Sequence, residues 1–188
     1  MMQLRAFAVV AAAAIAAAAG VALLAAKPVQ VQSVGAMHTP VWTEFKWPFP
    51  PDLWGPGLAF HCRAADCGTE VYLYLRAKLG FCNCLSSIDD EMVDQVGDVN
   101  LLAGKGGTPG SGRPIDVRWM HGRSRDYEIG GRGTMAKSVL SMAFHDRCDL
   151  IVATAAIGGD QPSAQEQAVL KFLNGERVLG WLEKTLGL

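Results

Sequence analysis

The first 26 residues constrain this chain more than any other feature of its sequence. One charge, Arg5, precedes an apolar run from Ala6 to Ala26 that contains no charged residue, and Lys27 and Pro28 end the run. A positive residue before an apolar stretch is the pattern of a secretory signal. The run therefore predicts export, with Arg5 keeping the N-terminus inside and the rest of the chain outside the cytoplasm.

Two interpretations of residues 1–26 stay open. Signal-peptide apolar regions usually have about 7–15 residues, whereas a membrane span needs about 20. The run is therefore long enough for a signal-anchor helix, although its many alanines make a lone span only marginally hydrophobic. Small residues at Gly20 and Ala22 also suit a cleavage site. We expect a location on the periplasmic side of the cell envelope, either anchored in the inner membrane or secreted after cleavage.

The remaining residues are enough for one domain that buries its own core. We expect residues 27–57 to be a stalk and a Trp/Pro-rich lead-in, and residues 58–188 to be a single globular domain. The formal net charge is −1, and Lys and Arg are not clustered. A nucleic-acid partner is therefore not expected, whereas the membrane, through the N-terminal segment, and an envelope protein are.

The lead-in holds three of the five tryptophans, Trp42, Trp47 and Trp54, among several prolines. That proline density argues against a regular helix or a central strand. Two interpretations follow. The aromatic rings either lie on the domain, since Trp is mostly buried on average, or they form a contact surface for the membrane interface or a partner.

The domain is predicted to be α+β, with an antiparallel sheet of about six strands, helices packed on it and an N-terminal hydrophobic helix before it. Alternation, strand-favouring residues and turn signals place the strands at 58–63, 70–78, 114–120, 125–129, 138–144 and 148–156. Helices are expected from Ser87, with Asp90 as its capping partner, and over 163–188 with a break near Asn174-Gly175. The element order resembles that of the Mog1/PsbP type of α/β/α sandwich.

Export decides how the cysteines are interpreted. The five are Cys62, Cys67, Cys82, Cys84 and Cys148. In an oxidising compartment they predict a disulfide framework with one cysteine left over. Cys62 and Cys67 fall near the tip of the first hairpin, and a ten-residue strand separates them from Cys82 and Cys84 by about 30 Å. A disulfide needs Cα atoms within about 7 Å, so we expect Cys62 to pair with Cys67, and Cys148 to pair with Cys82 or Cys84.

A second hypothesis uses the same residues for thiol or metal chemistry. If the hairpin were wrong, thiolate and imidazole ligands would suit Zn or Cu(I). The candidate ligands are His61, Cys62, Cys67, Cys82, Cys84 and His145. Alternatively, a spare thiol in Cys82-Asn83-Cys84 beside a disulfide would suit thiol exchange.

The sequence contains no motif that identifies an enzyme, and no cofactor is predicted. The glycine-rich stretch 104–112 lacks the Gly-Lys-Ser/Thr ending of a phosphate-binding loop, and His121 and His145 are expected in turns. Arginines alternate through the middle strands and could line an anion-binding face, or simply cover an exposed sheet face. They are Arg113, Arg118, Arg123, Arg125 and Arg132. The first hypothesis is therefore a non-catalytic, disulfide-stabilised binding or accessory domain of the bacterial envelope. The alternative is a thiol-redox or metal-handling protein.

Overall fold

The structure, a computed structural model, describes residues 39–80, 87–104, 107–130, 136–159 and 162–188. These residues form an α+β fold with one antiparallel sheet of eight strands and five helices. Across these ranges no helix is both long and apolar enough to cross a membrane. The predicted N-terminal helix, residues 1–26, lies outside the described residues.

The strands follow one another around five helices. In chain order they are β1 (Trp42–Phe45), β2 (Leu58–Cys62), β3 (Val71–Lys78), β4 (Gly107–Pro109), β5 (Arg113–Val117), β6 (Met120–Ile129), β7 (Ser138–Asp146) and β8 (Asp149–Ile157). The helices are α1 (Ala64–Cys67), α2 (Asp90–Val96), α3 (Val99–Ala103), α4 (Pro162–Leu173) and α5 (Glu176–Leu186). Across the sheet the order is β1-β2-β3-β8-β7-β6-β4, and β5 also pairs with β6.

Helices cover both faces of the sheet, because the central strands carry apolar side chains on both faces. Met142 and Phe144 of β7 pack in one core with Leu173 of α4 and Leu182 of α5. Ala143, between them in the strand, packs in a second core with α2. Strands buried on both faces have nearly continuous apolar sequences. The last strand, β8, follows the same rule, since it lies between β3 and β7 and nearly all of its residues are buried.

Two strands raise the predicted six to eight. β1 lies in the lead-in, where the prolines argued only against helices and central strands. It is an edge strand bonded to β2 alone, so Pro40 and Pro48 beside it remove no ladder bond. β4 lies in the glycine-rich stretch 104–112, where no strand was predicted, and pairs along β6 from Gly107 to Pro109.

Two hairpin turns fall elsewhere than predicted. The turn between β5 and β6 is Arg118-Trp119, not His121-Gly122, and the turn between β7 and β8 is Arg147-Cys148. Two-residue hairpins favour positive φ angles, and Arg118 (φ 56°) and Arg147 (φ 53°) adopt them without the usual Gly or Asn. The turn signal was therefore absent from the sequence. His121 and His145 lie in strands instead.

The helix boundaries also differ in detail. α2 begins at Asp90, and its N-cap is Asp89, whose carboxylate accepts from the Met92 amide at 2.8 Å, rather than Ser87. Asp90 itself accepts from Arg123 and from the Gly112 amide. The predicted break near Asn174-Gly175 is confirmed, since α4 and α5 are separate helices.

Gly122 lies within strand β6 at a point where the neighbouring strand β7 leaves no room for a side chain. A Cβ atom there would lie 2.2 Å from the Ala143 carbonyl oxygen on β7. We expect Gly122→Ala to lower the free energy of unfolding by about 1–3 kcal/mol, because the central strands must move apart. Urea unfolding followed by circular dichroism measures this change. The matched control is Gly130→Ala, which meets no atom within 4 Å. Equal effects at both positions would contradict the close approach.

Candidate functional site

The described residues contain the Cys62–Cys67 disulfide, with Cα atoms 5.9 Å apart. It closes the tip of the β2–β3 hairpin around α1, where the sequence placed this pair. Cys148 is also disulfide-bonded. Cys82 and Cys84 lie outside the described residues, so the partner of Cys148 and the thiol-exchange hypothesis stay predictions.

Beside this disulfide, His61 is held by its neighbours. Its ring stacks on Tyr72 with centroids 4.4 Å apart, and its Nε2 lies 2.5 Å from a Glu70 carboxylate oxygen. The other oxygen of Glu70 accepts from the Ala64 amide at the start of α1, at 2.9 Å. These bonds, from Ala64 first and His61 second, lower the pKa of Glu70. His61 therefore supports the hairpin tip.

The metal site predicted as an alternative does not assemble from the described residues. The disulfide removes the thiols of Cys62 and Cys67 as ligands. His61 lies level with Tyr72 at the hairpin tip, whereas His145 of β7 lies level with Lys78 at the other end of β3, about 20 Å away along the strand. Among the described residues, no group of three or more His, Cys, Asp or Glu side chains could hold a metal ion.

The four middle-strand arginines that the structure describes all contact carboxylates, so these four do not form a free anion-binding face. The ion pairs are Arg113 with Asp126 and Glu166, Arg118 with Glu176, Arg123 with Asp90, and Arg125 with Asp94. Arg132 lies outside the described residues. These pairs connect β5 and β6 to α2, α4 and α5, which is a structural use of charge.

The three lead-in tryptophans lie on the domain and are half-buried. Trp42 stacks on Phe172 of α4, with ring centroids 4.8 Å apart. Trp47 meets the ring of Tyr74 edge-on at 5.9 Å. The ring of Trp54 lies 5.8 Å from the Lys78 Nζ atom. Trp54 also lines the groove described below.

A cluster of charged side chains, Asp52, Arg76, Lys78 and Asp98, joins the lead-in to β3. Arg76 donates to Asp52 from Nη1 at 2.6 Å and to Asp98 from Nε at 3.0 Å and from Nη2. Lys78 Nζ donates to the Val96 carbonyl at 2.6 Å and to Asp98 at 3.2 Å. Arg76, Lys78 and Asp98 are each less than one-tenth exposed. We call this set the β3 charge cluster.

The two cations of the β3 charge cluster respond oppositely to burial. Desolvation acts to lower the pKa of Arg76, but its hydrogen bonds to Asp98 and Asp52 outweigh desolvation and raise that pKa. Desolvation dominates at Lys78 and lowers its pKa despite the nearby Asp98. The hydrogen bond from Arg76 lowers the pKa of Asp52. Arg76 is therefore the cation that the cluster stabilises, and Lys78 is the one that burial penalises.

A groove of about 400 Å³ lies beside this cluster. It is lined by Leu53, Trp54, Pro56, Ala77, Leu79, Trp181 and Thr185. Leu53 is 84% exposed and Leu79 is 48% exposed. Two tryptophan rings and two uncovered leucines give this groove apolar contact surface, within an exposed lining that is more polar than apolar as a whole. We call this site the Trp54–Trp181 groove.

Sequence reasoning identified only part of this site. Trp54 was a candidate because tryptophan and proline are dense around it. The sequence did contain an indication of Arg76 and Lys78, since two cations on one face of an otherwise apolar strand predict a buried charged cluster. Nothing in the sequence indicated a role for Asp98 or Trp181, because their roles depend on where α2, α3 and α5 pack.

The comparisons with known proteins give no relative. No protein-family model, no curated protein and no solved structure matches this chain.

The β3 charge cluster predicts that neutralising one carboxylate, Asp98, strongly lowers the stability of the fold. Asp98→Asn leaves two buried cations with only the exposed Asp52 as an acidic partner. We expect the free energy of unfolding to fall by about 3–5 kcal/mol, because a buried charge loses its partner. Chemical denaturation measures this fall.

Two comparison variants sharpen this prediction. Glu176→Gln breaks the pair with Arg118 at an 87% exposed carboxylate and should change stability by about 1 kcal/mol or less. Lys78→Met should leave stability within about 1 kcal/mol of wild type, or raise it. Because folding lowers the Lys78 pKa, wild-type stability relative to Lys78→Met should rise as the pH approaches the ordinary lysine pKa. A loss at Lys78→Met as large as at Asp98→Asn would contradict this assignment of roles.

Proposed function

We propose that this chain is an exported, membrane-associated accessory protein of the cell envelope, and that its domain binds an envelope partner through the Trp54–Trp181 groove. The observation that supports this most is the exposure of Leu53 and Leu79 at a groove with two tryptophan walls. Exposed apolar patches rimmed by polar residues are typical of interaction sites. Tryptophan is also enriched among the residues that contribute most to binding energy.

The disulfide supports the proposed compartment. Disulfides persist in secreted and periplasmic proteins and are rare in the cytosol, where thiols stay reduced. Cys62 and Cys67 are bonded, and Cys148 is bonded as well. An oxidising compartment agrees with the exported location that residues 1–26 predict, whether that segment is cleaved or retained as an anchor.

The ionic contacts support a binding role over a catalytic one. Asp98 is occupied by Arg76 and Lys78, and Glu166 accepts from Arg113 and Ser124. These two carboxylates are the buried acidic groups of the described residues. Both are held by bonds that fix helices to the sheet. A catalytic acid or base has to reach a substrate, and neither group faces the groove.

Site-specific photo-crosslinking in intact cells tests the proposal. We expect a photoreactive residue in place of Leu53 to give a discrete protein adduct in the envelope fraction. The adduct should disappear in a second variant that also carries Leu79→Glu, because a buried charge would oppose apolar docking. A matched probe in place of Leu101, which is 40% exposed and lies on α3, should give no such adduct.

The controls distinguish failure of binding from failure of location. The same adduct from positions 53 and 101 would contradict specific use of the groove. Recovery of the chain in the cytosolic fraction, with Cys62 and Cys67 reduced, would contradict export.

A further inference from the structure

Three polar side chains share one row across β5, β6 and β7. Asp116 of β5 pairs in register with His121 of β6, and His121 pairs in register with His145 of β7. Directly opposed residues of antiparallel strands lie on the same face, with Cβ atoms about 4.5–5.5 Å apart. The row therefore brings the two histidines to neighbouring positions on one face of the sheet. The sequence did not indicate this, because both histidines were expected in turns.

The hydrogen bonds of this row fix which ring nitrogen is available. His121 Nδ1 lies 2.6 Å from an Asp116 carboxylate oxygen, and His145 Nδ1 lies 3.4 Å from the Arg147 carbonyl oxygen. A carbonyl oxygen only accepts, and so does an ionised carboxylate, so each neutral ring carries its proton on Nδ1. Each Nε2 then has a lone pair. No hydrogen bond to either Nε2 occurs within the described ranges.

We propose that His121 and His145 form a cross-strand site for a divalent transition-metal ion, bound through the two Nε2 atoms. Zn–N bonds are about 2.0–2.1 Å long, and side chains whose Cβ atoms are about 4.5–5.5 Å apart can bring both Nε2 atoms to one ion. Asp116 is a positioning residue, since a carboxylate on the second nitrogen of a ligating histidine orients the ring and raises its basicity. Water completes the coordination shell, because the site offers two protein ligands rather than three.

The environment suits such an ion. The side chain of His121 is 86% exposed and that of Asp116 is 75% exposed, so the ion and its water have access. Imidazole suits Zn²⁺, Cu²⁺ and Ni²⁺, with Cu²⁺ the tightest of these, whereas Mg²⁺ prefers oxygen ligands. The site uses no cysteine and no residue of the Trp54–Trp181 groove. A test of this metal site is therefore independent of the proposed function.

Calorimetric titration of the full-length oxidised chain with Zn²⁺ alone tests the site. Free thiols are first alkylated, so that no cysteine competes for the metal. We expect one Zn²⁺ per chain, with the affinity lowered more than about tenfold by His121→Ala or His145→Ala, and about tenfold by Asp116→Asn. Cu²⁺ should give an electron paramagnetic resonance spectrum with coupling to two nitrogens.

His61→Ala is the matched control, because that histidine is already engaged by Glu70. It should leave the affinity for Zn²⁺ unchanged. Circular dichroism confirms that each variant is folded. Absence of Zn²⁺ binding by the wild-type chain, or binding that survives in the His121→Ala/His145→Ala double variant, would overturn the proposal.

Discussion

Burial of Arg76 on the face of β3 is the constraint on which much of this structure depends. A cation removed from water must be paired, and Arg76 is paired from two directions. Asp98, between α2 and α3, approaches it from one side, and Asp52 of the lead-in approaches it from the other. The same guanidinium thus fixes the position of two segments that lie far from β3 in the chain. Lys78, which is buried beside it, depends on the same Asp98.

The Trp54–Trp181 groove depends on this arrangement. Asp52 bonds to Arg76 and also accepts from the Trp54 amide at 2.9 Å. Trp54 and its neighbour Leu53 form one wall of the groove, while Trp181 of α5 lies in the other. A segment that the sequence describes as a stalk and lead-in therefore becomes part of the proposed binding surface. The ion pair converts an irregular, proline-rich segment into an ordered wall.

Periodicity and residue type predicted the fold better than they predicted the site. The apolar run of β8 and the break at Asn174-Gly175 were readable, because each is a local signal. The hairpin turns were not, since Arg118 and Arg147 adopt positive φ angles that arginine does not signal. At Gly122 the sequence misled in the opposite direction, since it indicated a turn where the structure has a strand. The glycine is there because β7 passes too close for a side chain.

We infer that the Asp52–Arg76 ion pair holds the groove wall against the domain. Hydrogen–deuterium exchange of the segment 46–57 measures this, with Asp52→Asn for comparison and β7 and β8 as the internal reference. We expect slow exchange at Trp54 and Gly55 in the wild-type chain, since both amides are hydrogen-bonded to Asp52. We expect faster exchange there in Asp52→Asn, with β7 and β8 unchanged. Complete exchange of this segment within seconds in the wild-type chain would contradict the claim.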